Sequence, residues 1–259
     1  MTKTNQMARQ RLKIYGERNT GTNYLAKLIE LNLGVEQLPG VVPDWLLNAQ
    51  KQLPAKEAIK DIYFSMTFRR NLGWKHMLVK PAAEMGRYAT GLDEVVFLTL
   101  TKNPYSWLLS LHRRPYHKDY FGKGEFEAFL TTPWKPVGRE NLGRATVTPI
   151  QLWNLKSASY IRLLEHLPTL HLRFETLLDD PRQVVKIISN AIGLDWNQDE
   201  FRNFEKSTKE SRRDYDFYRD YYLNEKWKLD FSTAAIDIAN QGLDGDVLAY
   251  FGYSKWEHS

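Results

Sequence analysis

Apolar and polar positions alternate along RLKIY (Arg11–Tyr15), which predicts a short strand. Beyond a Gly-containing segment, Leu25, Leu28, Ile29 and Leu33 recur at helical spacing, so strand passes through loop into helix. The succession repeats. EVVFLTLT (Glu94–Thr101) is β-branched and nearly unbroken, the pattern of a strand buried on both faces. Asn103-Pro104 ends it, and YSWLLSLHRR reads as a helix. Thr148-Pro149, a cap with a first-turn proline, opens a helix over IQLWNLKSASYIRLLEHL. LHLRF (Leu170–Phe174) alternates as a strand, and DDPRQVVKIISNAIGL is a capped amphipathic helix ending near Gly193. GWKHMLVK (Gly73–Lys80) is apolar-rich and predicts a strand running into a loop.

Two stretches lack a period. Residues 36–70, broken by Pro39, Gly40, Pro43 and Pro54, predict irregular structure with short helices. Residues 115–147 predict a long surface excursion with a short helix at EFEAFL. Strands alternating with helices predict an α/β fold, a parallel β-sheet flanked by helices on both faces. The polar residues 1–10 predict a flexible N-terminus, and residues 11–259 a single domain.

Composition narrows the function classes. The 42% hydrophobic and 13% aromatic content suffices for a core. The 36 Lys+Arg against 31 Asp+Glu give a net charge of +5, which suits an anionic small-molecule ligand. A dedicated nucleic-acid binder is more lopsided, so no nucleic-acid partner is expected. The absence of cysteine excludes disulfides, thiolate catalysis and cysteine zinc sites, and no metal site is expected. No run of about 18 apolar residues predicts a transmembrane segment. The first ten residues lack a signal-peptide core, so a cytoplasmic location is expected.

The candidate chemistry starts at YGERNTGTNY (Tyr15–Tyr24). Gly16 and Gly21 have the G-x-x-x-x-G spacing of a phosphate loop, but Thr22-Asn23 stands where a nucleoside-triphosphate loop has Lys and Ser or Thr. Loop amides and a helix N-terminus bind an anion, with Thr20, Thr22 and Asn23 as extra donors and Arg18 as extra charge. Without the lysine, the loop suits a lone phosphate-like or sulfate-like group. LTKNPYSWLLSLHRR predicts a second anion site: Lys102 at the strand end and Ser110 on the following helix. Ligands of open α/β sheets sit at the carboxyl ends of strands, so the two sites can share one ligand. Within GWKHMLVK, His76 is the candidate general base, because an imidazole titrates near neutrality, and Lys75 is placed to stabilise a leaving oxygen.

In this order the pieces resemble the sulfotransferase family, which uses 3'-phosphoadenosine 5'-phosphosulfate (PAPS) as sulfuryl donor and releases 3',5'-bisphosphoadenosine (PAP). The family's 5'-phosphosulfate loop, basic-Ser-Gly-Thr-Thr-Trp, is similar to RNTGTNY, with Thr20-Gly21-Thr22-Asn23 over its core and Tyr24 at the aromatic position. Asn19 stands at the usual basic position and Arg18 one place earlier. The 3'-phosphate motif, basic-Asn-Pro with a helix Ser eight residues on, resembles Lys102, Asn103, Pro104 and Ser110. WKH (Trp74–His76) resembles the family's Lys-His element, which carries its base. RFETLLDDP (Arg173–Pro181) is similar to the Tyr-Glu-Asp-Leu…Pro stretch, with Phe174 at the position near adenine. The resemblance implies a P-loop-like three-layer sandwich and transfer of a sulfuryl group to an acceptor hydroxyl or amine on a glycan, lipid or small molecule. It also implies that Arg212 or Arg213, in the basic and aromatic KESRRDYDFYRDYYLNEKW, touches the 3'-phosphate.

Alternatives remain at this stage. Glu17 in the loop competes with His76 as base, as some sulfotransferases use Glu. His112, His117, His166, His171 and His258 are weaker candidates. Trp134, Tyr116 and Tyr120 are candidate platforms for an acceptor ring. A kinase-like phosphotransferase is the rival enzyme, and a non-catalytic nucleotide- or RNA-binding protein the rival binding module.

Overall fold

The computed structural model describes residues 11–52, 56–115, 124–205 and 213–257. Strand β1 (Arg11–Gly16) leads into α1 (Thr22–Asn32) and the two-residue β2 (Glu36–Gln37). Helices α2 (Asp44–Ala49), α3 (Lys56–Asn71) and α4 (Ala82–Met85) precede β3 (Val95–Thr101). Then come α5 (Pro104–Arg113), α6 (Phe126–Thr131), α7 (Pro149–Leu164) and β4 (Thr169–Arg173). The order ends with α8 (Phe174–Asp179), α9 (Pro181–Ala191), α10 (Tyr215–Leu223), α11 (Thr233–Gly242) and α12 (Gly245–Tyr250). The strands form one parallel sheet in the order β2-β1-β3-β4.

Period-2 geometry divides the core. Leu12, Ile14, Val96, Leu98 and Leu100 face one side and pack with Leu25, Leu28 and Ile29 of α1 and Val184, Val185 and Ile188 of α9. Tyr15, Val95 and Phe97 face the other, toward Trp107 of α5 and Trp153 of α7. This gives the three layers, with each fully buried Leu or Ile contributing about 1.5–3 kcal/mol. Lys13 points into the second layer, where it donates to the carbonyls of Pro39, Asn71 and Gly73 at 3.0, 2.5 and 2.6 Å. Those bonds tie the segments 39–42 and 71–77 to the middle of β1.

Local signals placed the late helices well. Thr148 and Gln151 form the reciprocal cap of α7 with Pro149 in its first turn, and Asp180 caps α9. Three expectations fail. Gly73–Lys80 is no strand: Leu72 (φ 57°) and Gly73 (φ 87°) are both left-handed, and the chain turns there. Residues 36–70 are less irregular than expected, since α3 runs for 16 residues. It buries only Phe64 and Asn71, so it shows no apolar stripe. Phe64, with Tyr63 and Phe68 beside it, packs on the core, and Arg139 adds ion pairs to Glu57 and to Asp61, the latter at 2.8 Å. Trp134 is not an exposed platform. It is 2% exposed and forms an antiparallel bridge with Val147. Tyr116 and Tyr120, like residues 1–10, lie outside the described residues.

Candidate functional site

The register Gly16↔Leu100 brings the carboxyl ends of β1 and β3 side by side, so the loops that follow them open at one edge. Asn19 (φ 65°) and Gly21 (φ 86°) give the first loop its two left-handed turns. The Thr20 hydroxyl donates to Glu17 O at 2.6 Å and closes the loop on itself. No side chain caps α1, which leaves the amides of its first turn without a capping partner. The loop is tied to α5 by Trp107 Nε1, which donates to Arg18 O at 2.8 Å, and by Asn19 Nδ2, which donates to Ser110 O at 3.4 Å.

Gly21 has no room for a side chain. A Cβ there would lie 2.6 Å from the Phe174 ring, on a left-handed backbone. Gly21→Ala is therefore expected to cost about 1–3 kcal/mol in urea unfolding. An unchanged unfolding free energy would contradict this packing.

The turn at Leu72-Gly73 delivers the third piece. Gly16 N donates to Lys75 O at 2.9 Å, and His76 Nδ1 lies 2.5 Å from Gly16 O. A carbonyl only accepts, so Nδ1 carries hydrogen and Nε2 keeps its lone pair. Burial, then the charge of Lys75, holds His76 well below its ordinary pKa of 6.5, so the ring is neutral. Lys75 Nζ donates to Asn23 Oδ1 at 2.5 Å, in the first turn of α1.

Behind the loop sits a buried charge cluster. Lys156 of α7 contacts Glu140 and donates to His76 O at 2.5 Å. It also forms an ion pair with Glu17 Oε2. Burial opposes the Lys156 charge, but the Glu140 and Glu17 carboxylates outweigh it and raise its pKa. Burial also raises the Glu17 carboxyl, against the pull of Lys156. Glu17 Oε1 accepts from the Arg18 amide at 2.6 Å.

These pieces surround a cavity of about 500 Å³. Arg18, Asn19, Gly21, Thr22, Asn23 and Tyr24 line one wall. Lys75, His76, Ser110, Phe174 and Arg213 line the others. Thr20 and Lys102 are absent from the wall. Thr20 is turned inward, and Lys102 is 1% exposed behind Phe174 and Tyr222. Arg212 lies outside the described residues. Glu17 is off the wall as well, committed to Lys156. None of the rival histidines within the described residues reaches the cavity: His112 packs on Phe126 and Phe129, His166 faces Glu165, and His171 bonds Thr99. His117 and His258 lie outside the described residues.

The residues that sequence reasoning missed are Arg113 and Arg114 at the end of α5 and Tyr215, Tyr218 and Tyr222 on the cavity side of α10. The mixed bases and aromatics of the C-terminal segment were the sequence signal for the three tyrosines.

No family model matches the sequence, and no curated protein matches it. Among solved structures the chain is similar to a sulfotransferase domain from the curacin biosynthetic pathway, at 15% identity and a TM-score of 0.48 over 90% of this chain and 96% of that one. It is similar to a sulfotransferase from Alicyclobacillus acidocaldarius, at 15% identity and a TM-score of 0.47 over 95% and 97%. A mouse sulfotransferase complexed with PAP aligns at 15% identity and a TM-score of 0.41 over 94% and 79%.

Proposed function

We propose that this chain is a sulfotransferase that moves a sulfuryl group from PAPS to an acceptor hydroxyl or amine. The observation that carries the reading is one cavity with an uncapped α1 N-terminus, Lys75 and a neutral His76 on one side and Ser110 on the other. Such a site suits a ligand with two separated anionic groups. Five basic side chains line it, Arg18, Lys75, Arg113, Arg114 and Arg213, against the carboxylates of Glu205 and Asp214. Asp214 caps α10 by accepting from the Phe217 amide. That leaves Glu205 as the one lining carboxylate among the described residues for a magnesium ion, and with no lysine after Gly21 the kinase-like reading is the weaker one.

When bound, the donor supplies the sulfuryl group and a phosphate leaving group. Arg18, Thr22, Asn23 and the loop amides hold its 5' end, and Phe174 packs near the nucleobase. His76 Nε2 takes the acceptor proton as the acceptor oxygen or nitrogen bonds sulfur, and Lys75 stabilises charge on the leaving phosphate oxygen. Charge stabilisation and alignment dominate such in-line transfers. Tyr24 acts indirectly: its hydroxyl donates to Asn203 Oδ1 at 2.7 Å and braces the start of α1. The acceptor is a glycan, lipid or small molecule. No helix among the described residues is long and apolar enough to cross a membrane, and a cytoplasmic location fits this reading.

The test is a label-transfer screen across hydroxyl and amine acceptors, run in parallel with labelled PAPS and with γ-labelled ATP plus magnesium. Transfer from PAPS alone supports the reading. Transfer from ATP alone replaces it with phosphotransfer.

A further inference from the structure

Building on the donor reading above, we propose that the Tyr222 hydroxyl, rather than Lys102 or Ser110, is the direct contact for the second anion of the nucleotide and sets the preference for a 3'-phosphate. Lys102 Nζ lies 3.7 Å from the centre of the Tyr222 ring and 5.0 Å from that of Phe174. Tyr222 lines the cavity and Lys102 does not, so the tyrosine ring screens the ammonium from any ligand.

Ser110 reaches the cavity, but its hydroxyl is fully engaged. Its one hydrogen goes to Ser106 O at 2.8 Å, because a carbonyl only accepts. Its lone pairs take Lys102 Nζ at 2.8 Å and Tyr222 Oη at 3.2 Å. Tyr222 is therefore the donor in that last contact, which is also the longest of the three. Turning the Ser110 O–H toward an anion breaks its 2.8 Å bond to Ser106 O. Turning the tyrosine O–H about its C–O bond gives up only the 3.2 Å contact.

The surroundings favour an anion at this hydroxyl. Burial raises the Tyr222 pKa above its ordinary value, so the group keeps its proton and donates. Arg113, Arg114 and Arg213 stand close enough to favour negative charge there, and all three line the cavity. The Lys102 cation against the ring face draws electron density from the phenol and strengthens it as a donor. Phe174 packs edge-on to Tyr222 at 5.1 Å and fixes the ring.

The experiment compares affinities for 3',5'-bisphosphoadenosine and adenosine 5'-monophosphate by calorimetry in the wild type, Tyr222→Phe and Ser110→Ala, with thermal melts to confirm folding. Tyr222→Phe is expected to cut the preference for the bisphosphate by about tenfold or more, the size of a charge-assisted hydrogen bond, with the monophosphate affinity unchanged. Ser110→Ala is expected to retain most of the preference. Loss of the preference in Ser110→Ala with its retention in Tyr222→Phe overturns the assignment. A wild type that shows no preference overturns the donor reading, and this assignment with it.

Discussion

His76→Ala is expected to fold, to bind the bisphosphate nucleotide with wild-type affinity, and to lose about 10²–10⁴-fold in turnover. The ring is anchored through Nδ1 to Gly16 O, so Nε2 is the nitrogen available to a proton. Its pKa lies well below 6.5 because the site is buried and Lys75 is beside it. The imidazole thus stays neutral, and competent as a base, at neutral pH. The acid limb of the pH–rate profile should fall below pH 6.5 and vanish in the variant. The stability linkage has the same direction. The unfolded imidazole takes a proton near pH 6.5 and the folded one resists it, so this stability is complete above 6.5 and is lost as pH falls toward the lowered value. Glu17→Gln is the control. Near-normal turnover in His76→Ala, with Glu17→Gln folded but inactive, would move the base to the carboxylate.

Lys156→Met is expected to cost about 3–5 kcal/mol, the loss typical of removing one partner from a buried ionic cluster. Methionine matches the stem, so the effect isolates the charge. Glu17 and Glu140, 4% and 1% exposed, would be left facing each other without a cation, and His76 O would lose its donor. Urea denaturation measures the loss. The Glu17 carboxyl, raised by burial, can relieve it by taking up a proton in the folded state, so the deficit should shrink as pH falls from neutrality toward the unfolded carboxyl range near 4.5. Adding Glu17→Gln and Glu140→Gln should recover part of it. A single variant as stable as the wild type at pH 7 would show that the cluster does not hold the loop.

The sequence made the sheet legible wherever one signal sufficed. The β-branched run at Glu94–Thr101 and the Thr148-Pro149 cap each fixed an element from local chemistry. Eleven of the residues named for the donor site and its chemistry line one cavity, as strand-end loops of neighbouring parallel strands open together. The rest depended on contacts distant in sequence. Lys156 looks like an ordinary helix lysine until α7 brings it to Glu17 and Glu140. Lys102 looks like an exposed cation until α10, more than a hundred residues later, covers it with Tyr222. The segment Gly73–Lys80 has a strand's composition, but the chain turns at the left-handed pair Leu72-Gly73 and forms no strand there.

Calorimetry with 3',5'-bisphosphoadenosine and with ATP, each with magnesium and with a chelator, tests the central claim most directly. Two anion sites in one basic cavity, without a lysine after Gly21, predict tight binding of the bisphosphate unaffected by chelation and much weaker binding of ATP. Equal or tighter binding of magnesium-ATP, abolished by the chelator, would contradict it.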